Sequence, residues 1–231
     1  MRVLADLLPP GVVAVESFGP CATAPLIGDE AAAVARAVPA RRAEYAAVRA
    51  CARDALERLG VGRPAVPSAP DRSPVWPGGV VGALTHCDGY RAAAVAHAGT
   101  WAGVGIDAEP LAPLPDGVAD LVTSDDERGD LADVDPAHFP DRVLFSAKES
   151  VYKVWYPVVR TWLGFEDVRV RLGDGTFTAH LAVTGLGVDT LHGRWSTGRG
   201  LVVTAVTLAH PPGRHAGAGA DGDWSSGRRT C

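Results

Sequence analysis

Two short segments carry carboxylates and lysines at spacings that suit phosphate chemistry. The first, Gly103-Val104-Gly105-Ile106-Asp107-Ala108-Glu109-Pro110, puts two acids two residues apart at the end of an apolar run. On a strand, whose side chains alternate, that spacing aims Asp107 and Glu109 at one face. Carboxylate oxygens on a rigid strand end suit a hard cation such as Mg²⁺, which combines a few carboxylates with substrate phosphates. A surface D-x-E is the plain alternative. The second segment, Phe145-Ser146-Ala147-Lys148-Glu149-Ser150-Val151-Tyr152-Lys153, places Glu149 and Lys153 four apart on one helix face. As a surface pair they would contribute only about a few tenths of a kcal/mol. Lysine usage argues for more: of 22 basic residues only two are lysines, and both flank Glu149. Where diffuse positive charge suffices, this chain uses arginine; lysine adds a compact ammonium that can crowd a phosphate. Thr85-His86, before a turn, offers a hydroxyl and an imidazole for a phosphate, or a structural pair. Arg41, Arg42 and Arg49 supply anion contacts or an ordinary basic helix face.

These groups need elements to hold them. Helices are predicted over 28–38, up to Pro39, and over 41–59, where Tyr45, Val48, Ala52, Ala55, Leu56 and Leu59 recur at helical spacing. The Pro-, Gly- and Ser-rich stretch 61–79 reads as loop. Strands follow at 80–85, 91–98 and 101–108, turned by Asp88-Gly89 and Gly99. A third helix over 140–156 buries Val143, Leu144, Ala147, Val151, Val154 and Trp155, and Pro157 closes it. Antiparallel strands at 167–172, 176–183, 191–196 and 201–208 complete the pattern. Helix then meander thus occurs twice, about one hundred residues apart. The tail after Pro211 has no period and is expected to be disordered.

The 231 residues, 47% apolar, can fill one substantial core or two small joined ones. A net charge of −5 conceals an asymmetry: residues 105–141 hold eleven acids and one base, Arg128. Such a centre disfavours free nucleic acid and favours a metal ion bridging to an anionic substrate. Most of 116–135 reads as a solvated acidic loop. No secretory leader or membrane span is evident, and the four scattered cysteines suggest neither disulfides nor zinc. A cytoplasmic monomer without membrane or nucleic-acid partners is expected.

Together these residues resemble the 4′-phosphopantetheinyl transferases, in particular the larger single-chain branch of the surfactin and enterobactin synthetase type. That family pairs G-[hydrophobic]-D-x-E with a later [FW]-x-x-K-E-[SA]-x-x-K. Here the two read Gly105-Ile106-Asp107-Ala108-Glu109 and Phe145 to Lys153. Arg41-Arg42-Ala43-Glu44-Tyr45 through Arg49, Gly82-Ala83-Leu84-Thr85-His86-Cys87, Trp162-Leu163-Gly164-Phe165-Glu166-Asp167 and Gly193-Arg194-Trp195-Ser196 extend the similarity over about 30–208.

The resemblance implies an α+β, pseudo-twofold fold of two halves, each a small antiparallel sheet packed with a long helix. The halves would be 1–110, with coenzyme A contacts and the D-x-E strand, and 111–210, with the K-E-x-x-x-K helix, leaving 211–231 as tail. Coenzyme A, the substrate, would lie between them. Asp107, Glu109 and Glu149 would hold Mg²⁺ or Mn²⁺, and Lys148 and Lys153 would bind phosphates. Thr85 and His86 would take the 3′-phosphate region, with Arg41 and Arg49 on the adenosine side. A lysine common in the family's loop before Trp-Pro is absent; the loop 67–74 carries Arg72 instead.

The implied reaction is attack by a serine of an apo acyl or peptidyl carrier protein on the phosphorus joined to pantetheine, releasing 3′,5′-ADP. Alignment and charge neutralisation dominate such chemistry. Lys153 is the candidate for the leaving oxygen; Glu149, a metal-bound water or Glu127 is the candidate base. Carrier proteins usually present an acidic helix, so docking is expected away from the acidic window. A metal-dependent phosphohydrolase and a non-catalytic nucleotide-binding module are the alternatives.

Overall fold

The computed structural model describes residues 3–21 and 24–210; the expected disordered tail lies outside them. The chain runs β1 (Val12–Phe18), α1 (Pro39–Arg58), β2 (Val80–Cys87), β3 (Tyr90–His97), β4 (Trp101–Pro110), α2 (Val118–Val122) and α3 (Asp125–Leu131). It continues through α4 (Pro140–Val159), β5 (Val168–Gly173), β6 (Thr176–Leu181), β7 (Thr190–Gly198) and β8 (Leu201–Ala209). Two antiparallel sheets result, β1-β3-β2 and β4-β8-β7-β6-β5, which makes the fold α+β.

Four layers stack as helix, sheet, sheet, helix. The apolar stripe of α1, including Ala52, Ala55 and Leu56, packs on Val15, Ala93 and Val95 of the first sheet. The opposite face of β3, Ala92, Ala94 and Ala96, meets Val104, Ile106 and Ala108 of β4 and Val203 and Ala205 of β8. Every residue from Ala92 to Ala96 is therefore fully buried, and small side chains let the sheets approach. Beyond the second sheet, Val143, Leu144, Ala147, Val151, Val154 and Trp155 of α4 anchor the largest core.

Several expectations need correction. The first helix is a 3₁₀ segment, Gly28–Val34, that stops short of 38. Pro157 lies inside α4, which continues to Val159 and ends where Arg160 takes a left-handed conformation. A proline in the last turn leaves the carbonyl of Lys153 without its helical donor, a smaller cost than mid-helix. The acidic stretch is not simply loop: Ser124 and Glu127 cap α3 reciprocally, the two side chains each satisfying the other residue's amide. The strand β4 hydrogen-bonds β8 from Trp101 onward, so the chain changes sheets before residue 101.

Candidate active site

The conspicuous local feature of β4 is glycine on the face that meets α4. A β-carbon on Gly105 would overlap the carbonyl oxygen of Ser150, and one on Gly103 would stand 3.0 Å from Val154 Cγ1. Strand and helix therefore touch at backbone level, as only glycine allows. Lys153 can then donate to both the Ile106 carbonyl (2.9 Å) and Asp107 Oδ1 (2.8 Å). Strand alternation sends Val104, Ile106 and Ala108 into the core between the sheets. Asp107 and Glu109 lie on the other face.

Both oxygens of Asp107, which is buried, are held. Oδ1 also accepts from Thr85 Oγ1 at 3.3 Å, and Oδ2 accepts from Ser146 Oγ at 2.9 Å. Thr204, opposite Asp107 in the sheet, donates to the Ser146 carbonyl at 2.9 Å, so its oxygen accepts from Ser150 Oγ at 2.6 Å. Glu109 Oε2 accepts from Arg142 Nη1 at 2.9 Å. Glu149 has no hydrogen bond or ion pair among the described residues.

Burial first, and the Asp107 charge second, push both Glu109 and Glu149 above the usual carboxylate range; Arg142 and Lys153 oppose this at Glu109, and Lys153 at Glu149. Glu109 and Glu149 thus lie near Asp107 in surroundings that penalise ionisation of the two glutamates. A hard cation would relieve that penalty, and the all-oxygen donor set fits Mg²⁺. As the side chains stand, no three His, Cys, Asp or Glu among the described residues form a ligating group. Lys153 occupies Asp107 Oδ1, so binding requires that ammonium to shift, whereas Arg142 occupies only Oε2 of Glu109.

A cleft of about 770 Å³ opens beside this patch, between β2 on one side and β4 with α4 on the other. Glu149 and Lys153 lie in its wall together with Tyr152, Tyr156 and Trp162. Tyr152 stacks on Tyr156 at 5.6 Å and meets Trp162, itself 76% exposed, at 5.4 Å. The remaining wall is the loop 67–76. Arg49 Nη2 and Tyr45 OH bond Ser68 Oγ (2.8 and 3.0 Å), Trp76 Nε1 donates to the Gly82 carbonyl (2.9 Å), and Tyr156 OH donates to Asp71 (2.9 Å). The loop is thereby fastened to α1, β2 and α4.

The expected site residues divide accordingly. Asp107 and Lys153 are bonded to each other, Glu109 and Glu149 lie within reach of the Asp107 charge, and Glu149 and Lys153 line the cleft. Arg72 lines the cleft with a left-handed backbone, φ 69°. Arg41 Nη1 lies 2.8 Å from His86 Nε2 at the surface. Because a guanidinium can only donate, Nε2 accepts and the imidazole proton sits on Nδ1. Partial burial, then the Arg41 charge, lower the His86 pKa. Four of the expected residues are turned away from the cleft or into the protein. Thr85 faces inward, accepting from the Ala108 amide at 3.0 Å while donating to Asp107, so it braces β4 instead of facing a phosphate. Arg49 is buried, its Nε on the Val66 carbonyl at 2.7 Å, and serves the loop. Lys148 and Glu127 form a buried pair at 2.9 Å; Lys148 Nζ also donates to the Val122 and Phe165 carbonyls, and Glu127 accepts from the Val170 amide. All three ammonium protons are used, so neither residue faces the cleft.

Sequence reasoning missed Arg142, Ser146 and Ser150. With Glu149 and Lys153 they form a polar stripe on α4 at spacings of three and four, a signal that was available beside the apolar one.

Known proteins resemble this chain over most of its length. The family model described as the 4′-phosphopantetheinyl transferase N-terminal domain matches residues 29–96, and that of the 4′-phosphopantetheinyl transferase superfamily matches residues 103–206. The chain is 48% identical over 227 residues to the 4′-phosphopantetheinyl transferase Svp of Streptomyces mobaraensis, covering 91% of both chains. It is 44% identical to Npt of Nocardia iowensis, over 76% of this chain and 86% of that protein. It is also 44% identical to PptT of Mycobacterium tuberculosis, over 78% of this chain and 85% of that one; both relatives bear the same enzyme name. The family boundary near residue 100 coincides with the change of sheets at β4, and the chain belongs to the 4′-phosphopantetheinyl transferase superfamily.

Proposed function

We propose that the protein transfers the 4′-phosphopantetheine arm of coenzyme A to a serine of an apo acyl or peptidyl carrier protein, releasing 3′,5′-ADP. The observation that supports the reading is the Lys153 ammonium bonded to Asp107, with Glu109 and Glu149 within reach of the Asp107 charge, beside a cleft whose wall includes Glu149 and Lys153. The homologous enzymes named for the same transfer support it. Asp107, Glu109 and Glu149 would hold Mg²⁺, with Mn²⁺ as substitute. When bound, the cation neutralises phosphate charge.

The chain's own residues supply the rest. Arg41 and the neutral His86 offer donors to a phosphate at one edge, and Arg72 offers another from the loop. The aromatic wall of Tyr152, Tyr156 and Trp162 offers apolar surface along the cleft. The carrier serine oxygen forms a bond to the phosphorus joined to pantetheine while the bond to the oxygen of the departing 3′,5′-ADP breaks. Lys153, already a donor within the cleft, neutralises or protonates that leaving oxygen. Glu149 accepts the serine proton, directly or through water; it is the site carboxylate without a donor of its own. The reading includes a monomer acting in the cytoplasm. The free thiols of Cys21, Cys51 and Cys87 fit a reducing compartment, and among the described residues no helix is long and apolar enough to cross a membrane.

The test is incubation with coenzyme A, Mg²⁺ and a panel of apo carrier proteins, read by intact mass. The expected result is one added phosphopantetheine on at least one carrier. Coenzyme A cleavage without any carrier would instead indicate a hydrolase.

A further inference from the structure

The geometry points to Arg142 as the residue that positions Glu109 for the divalent cation, an assignment that rests on the metal reading above. Asp107 and Glu149 have short routes to their places: one is braced on both oxygens, the other rises from a helix. Glu109 is different. It is a long side chain at the end of β4, just before the chain leaves the sheet at Pro110. Nothing on its own strand fixes its orientation.

Arg142 does so from the first turns of α4. Its guanidinium is held at three points: Nη1 donates to Glu109 Oε2 at 2.9 Å, Nε to the Ala112 carbonyl at 3.0 Å, and Nη2 to the Pro113 carbonyl. The side chain is only 10% exposed. A planar fork fastened to two backbone carbonyls cannot turn without breaking them, so it fixes where Oε2 lies. Glu109 Oε1 has no hydrogen-bond partner among the described residues and stays free for a ligand. A ligating carboxylate with one oxygen on an arginine and the other on the metal is a common outer-shell arrangement.

The same contact ties the site to one ruler. Asp107 is referenced to α4 through Ser146 and Lys153, and Glu149 grows from α4 itself. Arg142, about two helical turns before Glu149, adds Glu109 to that frame.

The test compares wild type, Arg142→Gln and Arg142→Lys by calorimetric titration of Mg²⁺ in the presence of coenzyme A, together with the KM for Mg²⁺ and kcat. For Arg142→Gln we expect Mg²⁺ affinity to fall about 10–100-fold and KM for Mg²⁺ to rise by a similar factor. The kcat at saturating Mg²⁺ should stay within about threefold, because no group acting on the reacting atoms has been removed. In a Glu109→Gln background the Arg142 substitution should add little, since it acts through that carboxylate. Should the glutamine variant not fold, Arg142→Lys serves: a single ammonium cannot hold connector and carboxylate together, so Mg²⁺ affinity should still drop. Unchanged Mg²⁺ affinity in a folded variant, or full additivity with Glu109→Gln, overturns the assignment. Wild-type protein that binds no Mg²⁺ would overturn the metal reading instead.

Discussion

The two lysines of α4 have the same chemistry and opposite surroundings. Lys153 is 26% exposed, reaches into the cleft wall and shares Asp107 with two hydroxyl donors. Lys148 is 2% exposed and spends every proton on Glu127 and two backbone carbonyls, joining the end of α2, the start of α3 and the segment before β5. Burial lowers the Lys148 pKa while Glu127 opposes that shift. One motif therefore contains an ammonium at the cleft and a buried, structural one. A residue's place in a pattern does not fix its task; the direction it points from the helix does.

Substitutions should separate the two. Lys153→Ala is expected to lower turnover about 10²–10³-fold with a smaller change in KM for coenzyme A, because a donor aimed at developing charge is lost. Lys148→Ala should instead remove about 3–5 kcal/mol of stability by stranding a buried carboxylate, with turnover per folded molecule changing far less. Thermal melting and active-site titration read the two quantities separately. A Lys148→Met, Glu127→Gln pair should melt above Lys148→Met alone, because no unpaired charge remains buried. Recovery of turnover in place of stability would place Lys148 in the chemistry after all.

Between these extremes stands Ser146, which touches only the Asp107 side of the comparison. Ser146→Ala leaves Asp107 Oδ2 without its donor, and we expect a loss of about tenfold in turnover, roughly the value of a hydrogen bond to a charged group. The smallest effect concerns His86, whose folded pKa is depressed below an unfolded value of about 6.5. The unfolded chain takes up the proton first as pH falls. The stabilisation is therefore present above that value and is lost as pH drops toward the folded pKa. His86→Asn should flatten that slope in urea melts between pH 7 and 5. If a coenzyme phosphate sits beside the ring, adding coenzyme A should raise the His86 pKa measured by NMR; an unchanged value would remove His86 from the phosphate site.

Much of this was legible in the residues. Alternation on β4 gave Asp107 and Glu109 a common face, and the apolar stripe located α4. The same rules, applied once more, would have gone further. Lys148 and Lys153 are five apart, about 140° around a helix, and so cannot face one ligand equally. Thr85 and His86 are adjacent on a strand and must point to opposite sides. The stretch Ser124 to Glu127 carries a capping signature that charge density concealed. Less accessible was the overlap at Gly105, because it depends on which helix lies over the strand, a long-range fact no local pattern contains. The anchoring of Arg49 and Arg142 to backbone carbonyls is of the same kind.

The most direct measurement of the central claim uses Asp107→Asn, which keeps the volume of the side chain while removing its charge. Folded variant protein would be incubated with coenzyme A, an apo carrier and rising Mg²⁺, and the carrier followed by intact mass. The account predicts no added phosphopantetheine on the timescale of wild-type completion, at any Mg²⁺ concentration. Transfer at the wild-type rate would contradict it.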